Sequence, residues 1–251
     1  EFWPKVPEKR KTRNDTLAIK QKEAGGYTVQ NQYNAQYASM VYALDQNVGR
    51  VIDQLEAHNL LDNTLIIFTS DNGGLTTLEK EHRTAPTSVL PLRAGKGWVY
   101  EGGIRVPLII KPPNNSSAKR IDVPAVSMDF YPTILEYARL PLKPEQHRDG
   151  ISLKNIVEGK TSETHTSMVW DFPHYHGSGW TPGRALRLGP WKLVYFFEDE
   201  QYELYHLEND PGEKIDLVNQ APEQLEHMKK LLMEWTSKMK AQNPTVNIKA
   251  L

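Results

Sequence analysis

Residues 65–74 read Leu-Ile-Ile-Phe-Thr-Ser-Asp-Asn-Gly-Gly, an apolar run that ends in two polar residues and two glycines. The run predicts a buried parallel strand, because strands covered on both faces are continuously hydrophobic. Open α/β folds bind their ligands at the carboxyl ends of such strands. Asp71 and Asn72 would place a carboxylate and an amide oxygen there, and both oxygens suit a hard divalent cation. Taken alone, the Asp-Asn-Gly-Gly segment is also typical of a tight turn.

The next block supplies a positive charge, since Lys96 lies between Gly95 and Gly97. Glycines carry no side chain, so the ammonium can approach an anion with little obstruction. A metal ion together with a lysine indicates an oxyanion substrate. In the Glu-Gly-Gly-Ile-Arg-Val-Pro block that follows, Glu101 and Arg105 are interpreted as structural, either as a charge pair or as groups that hold the backbone.

Several segments in a fixed order carry a family resemblance. Residues 92–97 read Leu-Arg-Ala-Gly-Lys-Gly, residues 129–135 read Asp-Phe-Tyr-Pro-Thr-Ile-Leu, and residues 203–213 read Glu-Leu-Tyr-His-Leu-Glu-Asn-Asp-Pro-Gly-Glu. With the two blocks above and a helix over residues 42–55, they resemble the formylglycine-dependent (type I) sulfatases of the alkaline-phosphatase-like superfamily. The resemblance runs from the region of Tyr33 to the C-terminus.

Periodicity independently predicts several elements. Apolar residues recur every three or four positions over residues 37–55, which is typical of an amphipathic helix. Residues 184–187, 191–196 and 201–205 are strand-length segments separated by turn residues, so they predict an antiparallel meander. A helix is expected from Pro222, and its apolar stripe is expected to pack on that meander.

The resemblance implies an α/β fold in two parts. Residues 1–160 would be the C-terminal part of the sulfatase catalytic domain, with part of an alkaline-phosphatase-like, mainly parallel sheet flanked by helices. Residues 161–251 would form a small C-terminal α+β subdomain with an antiparallel sheet and a terminal helix. The polar residues 159–163 mark the expected boundary.

The resemblance also implies roles for particular side chains. Asp71 and Asn72 would ligate Ca²⁺ or Mg²⁺, and Lys96 would act as a catalytic group that contacts the sulfate. Three further residues are candidates for substrate binding: Arg93, His174 and His176.

The two histidines lie in residues 172–180, which are rich in glycine and aromatic residues. Such a loop is typical of a pocket mouth. With Trp180 it would suit stacking on a sugar ring. Two histidines two positions apart could also ligate a metal, although no third ligand is suggested nearby. A surface or packing role for the loop stays open as well.

The nucleophile implied by the resemblance is missing. The chain has no cysteine and no Ser-x-Pro-Ser-Arg segment, so formylglycine is expected in an N-terminal half of the same enzyme. An opening Glu-Phe-Trp-Pro without an initiator Met fits a chain cut from a longer protein. The implied reaction is hydrolysis of the sulfate ester of a small molecule or glycan, with this chain inactive alone. The alternatives are a phosphodiesterase or phosphonate hydrolase of the same superfamily, and a non-catalytic binding remnant.

Composition excludes some classes of protein. A formal net charge of −1 gives no reason to expect nucleic acid or an anionic membrane as a partner. No apolar run approaches the roughly 18 residues that a membrane span needs. Zero cysteines exclude disulfides and zinc-thiolate sites. A periplasmic or secreted location is expected from the family alone.

Overall fold

The computed structural model describes residues 15–114, 117–160 and 164–245. The helices are α1 (Ala35–Ala57), α2 (Glu101–Ile104), α3 (Phe130–Tyr137), α4 (Lys154–Val157) and α5 (Pro222–Met239). The strands are β1 (Lys20–Glu23), β2 (Gly26–Val29), β3 (Ile66–Thr69), β4 (Thr77–Leu78), β5 (Leu108–Lys111), β6 (Ser167–Phe172), β7 (Gly183–Leu188), β8 (Trp191–Phe196) and β9 (Tyr202–His206). Short 3-10 helices occupy Asp15–Leu17, Leu61–Asn63 and Ser127–Asp129.

The chain divides into two compact units. The first unit comprises Glu1–Met40, Asp71–Val106 and Ser167–Leu251, and the second comprises Val41–Ser70 and Pro107–Thr166. The sequence predicts a boundary within residues 159–163, of which residues 161–163 lie outside the described residues. The division of the chain at residue 160 stays a prediction.

The predicted three-stranded meander is present as β7-β8-β9 in the first unit. β6, which the sequence did not predict, pairs with β7 and gives a four-stranded antiparallel sheet in the order β6-β7-β8-β9. The predicted helix is α5, and its buried Met228 and Leu232 pack against Leu186, Leu193 and Leu204 of the sheet. Burying each such side chain contributes roughly 1.5–3 kcal/mol relative to exposure. The expectation that this helix packs on the meander is confirmed.

Aromatic side chains build a second core in the first unit. Trp98, Tyr100 and Trp180 contact one another with ring centroids 5.5–6.2 Å apart. Trp180 is only 1% exposed, and its indole N–H donates to Phe172 O at 3.3 Å. The expectation that Trp180 stacks on a sugar ring is therefore wrong, because the ring is enclosed by protein.

A small antiparallel sheet, in the order β1-β2-β4, completes the described part of the first unit. Val29 and Leu78 pack with Ala85 in its core. The buried hydroxyls of Thr28 and Thr77 hydrogen-bond to each other at 2.7 Å across β2 and β4. This sheet joins residues near the start of the unit to the segment that follows Gly74.

The second unit leaves much apolar surface uncovered. The predicted helix is present as α1. The structure describes every residue of α1, and none of them is buried. Leu44 and Val51 are 55% and 61% exposed. β3 pairs with β5, and Phe68 and Ile109 on facing strands are 40% and 61% exposed.

The β3–β5 pair differs from the expectation of a buried strand with a parallel neighbour. The pairing is antiparallel, and two strands alone cover neither each other's faces nor their outer edges. A parallel neighbour of β3 is not among the residues described. The apolar run predicted the strand correctly, but within residues 15–114, 117–160 and 164–245 no further strand pairs with β3 or β5.

Within residues 15–114, 117–160 and 164–245, no helix combines the length and the hydropathy needed to cross a bilayer.

Candidate active site

Main-chain hydrogen bonds join the three sequence blocks that predicted a site. The Gly73 N–H donates to Gly103 O at 2.9 Å, and the Lys96 N–H donates to Gly74 O at 2.9 Å. The Gly102 N–H donates to Arg93 O at 2.9 Å. The Asp71–Gly74 segment, the Lys96 loop and the glycine pair at 102–103 therefore form one bonded arrangement within the first unit.

Close backbone approach explains the glycines of this arrangement. A Cβ added to Gly73 would lie 1.8 Å from Gly102 O, which no side chain tolerates without backbone movement. Gly97 has a φ of +86°, in the left-handed region that favours glycine. The close approach at Gly73 and the positive φ at Gly97 therefore explain why these two positions are glycine.

Asp71 and Asn72 lie side by side at the start of this segment. Asp71 is exposed and its Oδ1 accepts the Asn72 N–H at 2.9 Å. The half-buried Asn72 donates from Nδ2 to Gly73 O at 2.9 Å, which orients the amide group.

This donor set fits Ca²⁺ or Mg²⁺ in kind, because both prefer carboxylate and amide oxygens. It does not fit in number, since Ca²⁺ takes about six to eight oxygens. Among the residues described, no three His, Cys, Asp or Glu side chains lie close enough together to hold a metal ion. Metal ligation by Asp71 and Asn72 therefore stays a prediction.

Lys96 is exposed, with its main chain anchored by Gly74 O. The imidazole of His176 packs directly on the neighbouring Gly97, where an added Cβ would lie 2.0 Å from His176 Nδ1. The same nitrogen lies 2.8 Å from the Ser178 hydroxyl. The structure therefore brings His176 next to the Lys96 loop.

The loop that carries His176 is held to the aromatic core. The His176 N–H donates to Trp180 O at 3.2 Å, and the Trp98 indole N–H donates to Ser178 O at 3.2 Å. His174 differs, because it is exposed and packs edge-on against Phe172 with the ring centroids 6.0 Å apart. Of the two histidines, His176 is the one fixed beside the lysine loop.

Arg93 is tied to other protein groups. Its Nη2 lies 2.8 Å from Glu23 Oε1, and its Nη1 donates to the Tyr205 hydroxyl at 2.8 Å. Its guanidinium carbon lies 3.8 Å from the centre of the Tyr100 ring. These contacts are those of a structural anchor, and the substrate-binding role of Arg93 stays a prediction.

Glu101 and Arg105 form the charge pair that the sequence predicts, with Arg105 Nη1 3.7 Å from Glu101 Oε2. The sequence did not reveal that Lys192 Nζ also lies 3.0 Å from Glu101 Oε1 and 2.8 Å from Glu213 Oε1. Burial raises the pKa of Glu213, and the Lys192 ammonium works against that effect. A lysine within the otherwise apolar strand Trp191–Phe196 was the signal that could have indicated a buried ion pair.

Two family models match the chain. The Sulfatase model matches residues 2–140, and the model described as N-sulphoglucosamine sulphohydrolase, C-terminal, matches residues 94–242. Among curated relatives, a sulfatase from Formosa agariphila is 37% identical, and the alignment covers 76% of this chain and 36% of the relative.

Two solved structures are also similar to this chain. Ps i-CgsB, in complex with k-i-k-neocarrahexaose, superposes with a TM-score of 0.66 at 31% identity, over 82% of this chain and 44% of that chain. BT4656, in complex with its substrate D-glucosamine-2-N,6-O-disulfate, has a TM-score of 0.64 at 27% identity, over 84% of this chain and 41% of that chain. The chain spans less than half the length of each of these three relatives. Because a family model matches more than half of its residues, the chain belongs to the sulfatase family.

Proposed function

We propose that this chain is the part of a sulfuric ester hydrolase that supplies metal ligands and a sulfate-contacting lysine. The observation that carries the proposal is the bonded arrangement of the Asp71–Gly74 segment, the Lys96 loop and the glycine pair in a chain of the sulfatase family. The proposed substrate is a sulfated small molecule or glycan. In support, BT4656 was solved with a disulfated glucosamine as its substrate.

The proposed roles follow from the chemistry of each side chain. Asp71 and Asn72 would provide oxygen ligands to Ca²⁺ or Mg²⁺, which when bound would stabilise negative charge at the sulfate. The exposed ammonium of Lys96 would offset charge on the sulfate or on the departing oxygen. His176, fixed against Gly97, would bind the part of the substrate next to the sulfate, with His174 and Arg93 as further candidates.

The proposal places the formylglycine nucleophile, and the remaining metal ligands, in an N-terminal half of the same enzyme. The chain contains no cysteine that could be converted to formylglycine. The exposed apolar residues of α1 and of the β3–β5 pair support a further layer of polypeptide over the second unit. That layer would supply the parallel strands of the domain to which residues 1–160 are assigned, with residues 161–251 as its C-terminal subdomain. We place the enzyme in the periplasm or outside the cell.

The first prediction is that the purified 251-residue chain does not hydrolyse a chromogenic aryl sulfate, whereas the complete enzyme does. The reason is the missing nucleophile. An aryl phosphate is the matched control substrate, because a metal and a lysine serve phosphate as well as sulfate. Preference of the complete enzyme for the phosphate would favour a phosphodiesterase or phosphonate hydrolase instead. Activity in neither assay would favour a non-catalytic remnant.

The second prediction is that the isolated chain binds Ca²⁺ weakly or not at all, since two ligands are far fewer than the about six to eight that the ion takes. Isothermal titration calorimetry measures this binding, with an Asp71→Ala chain as the matched control. Tight binding at one ion per chain, lost in Asp71→Ala, would show that the other ligands lie within this chain and that the proposed division of the site is wrong.

A further inference from the structure

Three charged side chains form a buried cluster at Glu101, the residue directly before the glycine pair at 102–103. Lys192 on β8 bridges Glu101 and Glu213, with Nζ–Oε1 distances of 3.0 and 2.8 Å. Glu213 Oε2 also accepts the Glu101 N–H at 2.7 Å. Exposure of the three side chains is 0% for Lys192 and Glu213 and 2% for Glu101. This Lys192–Glu101–Glu213 cluster is therefore shielded from solvent.

Stability alone is a weak reason for such a cluster. Buried ion pairs lose hydration that their attraction only partly restores, and apolar replacements are often neutral or stabilising. The backbone at Glu213 adds a further cost, because its φ of +50° lies in the left-handed region. A non-glycine residue in such a conformation costs of the order of 1–3 kcal/mol. These costs point to a requirement for the carboxylate at this position.

The cluster is connected to the active-site segments through the backbone of Glu101. Glu101 begins α2 and directly precedes the glycine pair, whose Gly103 O accepts the Gly73 N–H at 2.9 Å. The Gly102 N–H donates to Arg93 O, at the start of the loop whose Lys96 N–H donates to Gly74 O. Displacement of Glu101 would therefore move both hydrogen-bonded segments.

We infer that the Lys192–Glu101–Glu213 cluster positions the active site, by fixing α2 and through it the Asp71–Gly74 segment and the Lys96 loop. Lys192 and Glu213 are thus positioning residues that lie far along the chain from the groups they hold. The effect on hydrolysis rests on the proposed function, whereas the effect on the backbone does not.

The test is amide hydrogen exchange of the full 251-residue chain, followed by NMR at the Gly73 and Lys96 N–H groups. The variant is Lys192→Met/Glu213→Leu, which removes one charge of each sign and the acceptor of the Glu101 N–H. Because Glu101 keeps Arg105 as a charge partner, with Nη1 3.7 Å from Oε2, this variant is expected to fold. Both amides are expected to exchange at least about tenfold faster, while the amides of α5 and of the β6–β7 pair keep their rates.

A matched control removes another ion pair from the same sheet. Arg184 on β7 pairs with Asp171 on β6 at 2.8 Å, and the Arg184 side chain is 3% exposed. Arg184→Met/Asp171→Leu is expected to leave the exchange of Gly73 and Lys96 unchanged. Unchanged exchange of these amides in a folded Lys192→Met/Glu213→Leu chain, or equal acceleration of all amides, would overturn the inference. The single variant Lys192→Met, which leaves both carboxylates buried, should give a larger local effect in the same direction.

Kinetics of the complete enzyme separate the inference from the proposed function. The double variant is expected to lower kcat for a sulfate ester at least about tenfold with little change in KM, because the displaced Lys96 acts on the reacting group. Faster exchange at Gly73 and Lys96 with unchanged turnover would support the positioning and overturn the proposed role of Lys96.

Discussion

Replacing Lys96 with alanine in the complete enzyme is expected to lower turnover of a sulfate ester about a hundredfold or more. Loss of one preorganised charge contact at the reacting group has an effect of this size. The free energy of unfolding should change by no more than roughly 0.5 kcal/mol, as is usual for surface positions, because the Lys96 side chain is exposed. Lys96→Arg should restore only part of the rate, since a planar guanidinium does not reproduce a compact ammonium.

Steady-state kinetics and thermal unfolding measure the two quantities. Lys80→Ala is the matched control, because Lys80 is another exposed lysine of the first unit, outside the bonded arrangement. It is expected to leave both turnover and stability near their original values. Near-normal turnover in Lys96→Ala would mean that Lys96 is an ordinary surface residue, and the sulfate site would have to be assigned elsewhere.

Gly73→Ala is expected to destabilise the chain by about 1–3 kcal/mol or more, the range typical of overpacking. The added Cβ would lie 1.8 Å from Gly102 O, and a main-chain oxygen cannot move aside as a flexible side chain can. For a chain of this size each kcal/mol lowers the midpoint of thermal unfolding by roughly 2–4 °C.

Gly177→Ala is the matched control in the same unit, because nothing lies within 4 Å of the Cβ that it would add. Differential scanning calorimetry of both variants makes the comparison. A Gly73→Ala chain with the midpoint of Gly177→Ala would contradict the close approach of the Asp71–Gly74 segment to the glycine pair.

Elements whose signals are local could be predicted from the sequence. α1 and α5 follow from apolar spacing within one segment, and the β7–β9 meander follows from strand-length runs and turn residues. The candidate site blocks were also found, because each is a short run of unusual composition. The main-chain hydrogen bonds that join these blocks could not be predicted from any one block alone.

Features that depend on distant partners could not be predicted. The contacts of Arg93 with Glu23 and Tyr205 could not be predicted, because these partners are 70 and 112 positions away along the chain. Trp180 was expected to suit stacking on a sugar ring, whereas in the structure Trp98 and Tyr100 pack against it. β3 is less buried than its sequence predicts. An apolar run indicates that a strand is usually covered by other residues, but it does not show which polypeptide supplies them.

The Lys192–Glu101–Glu213 cluster can form only after all three of its residues have been synthesised. Glu213 is 112 residues beyond Glu101, whose N–H it accepts. At translation rates of about 5–20 residues per second, the ribosome needs roughly 6–22 s to travel from one to the other. Throughout that interval the nascent Lys96 loop lacks the anchor that holds its final geometry. The Asp71–Gly74 segment and the Lys96 loop are therefore expected to reach their final geometry only after Glu213 has been synthesised.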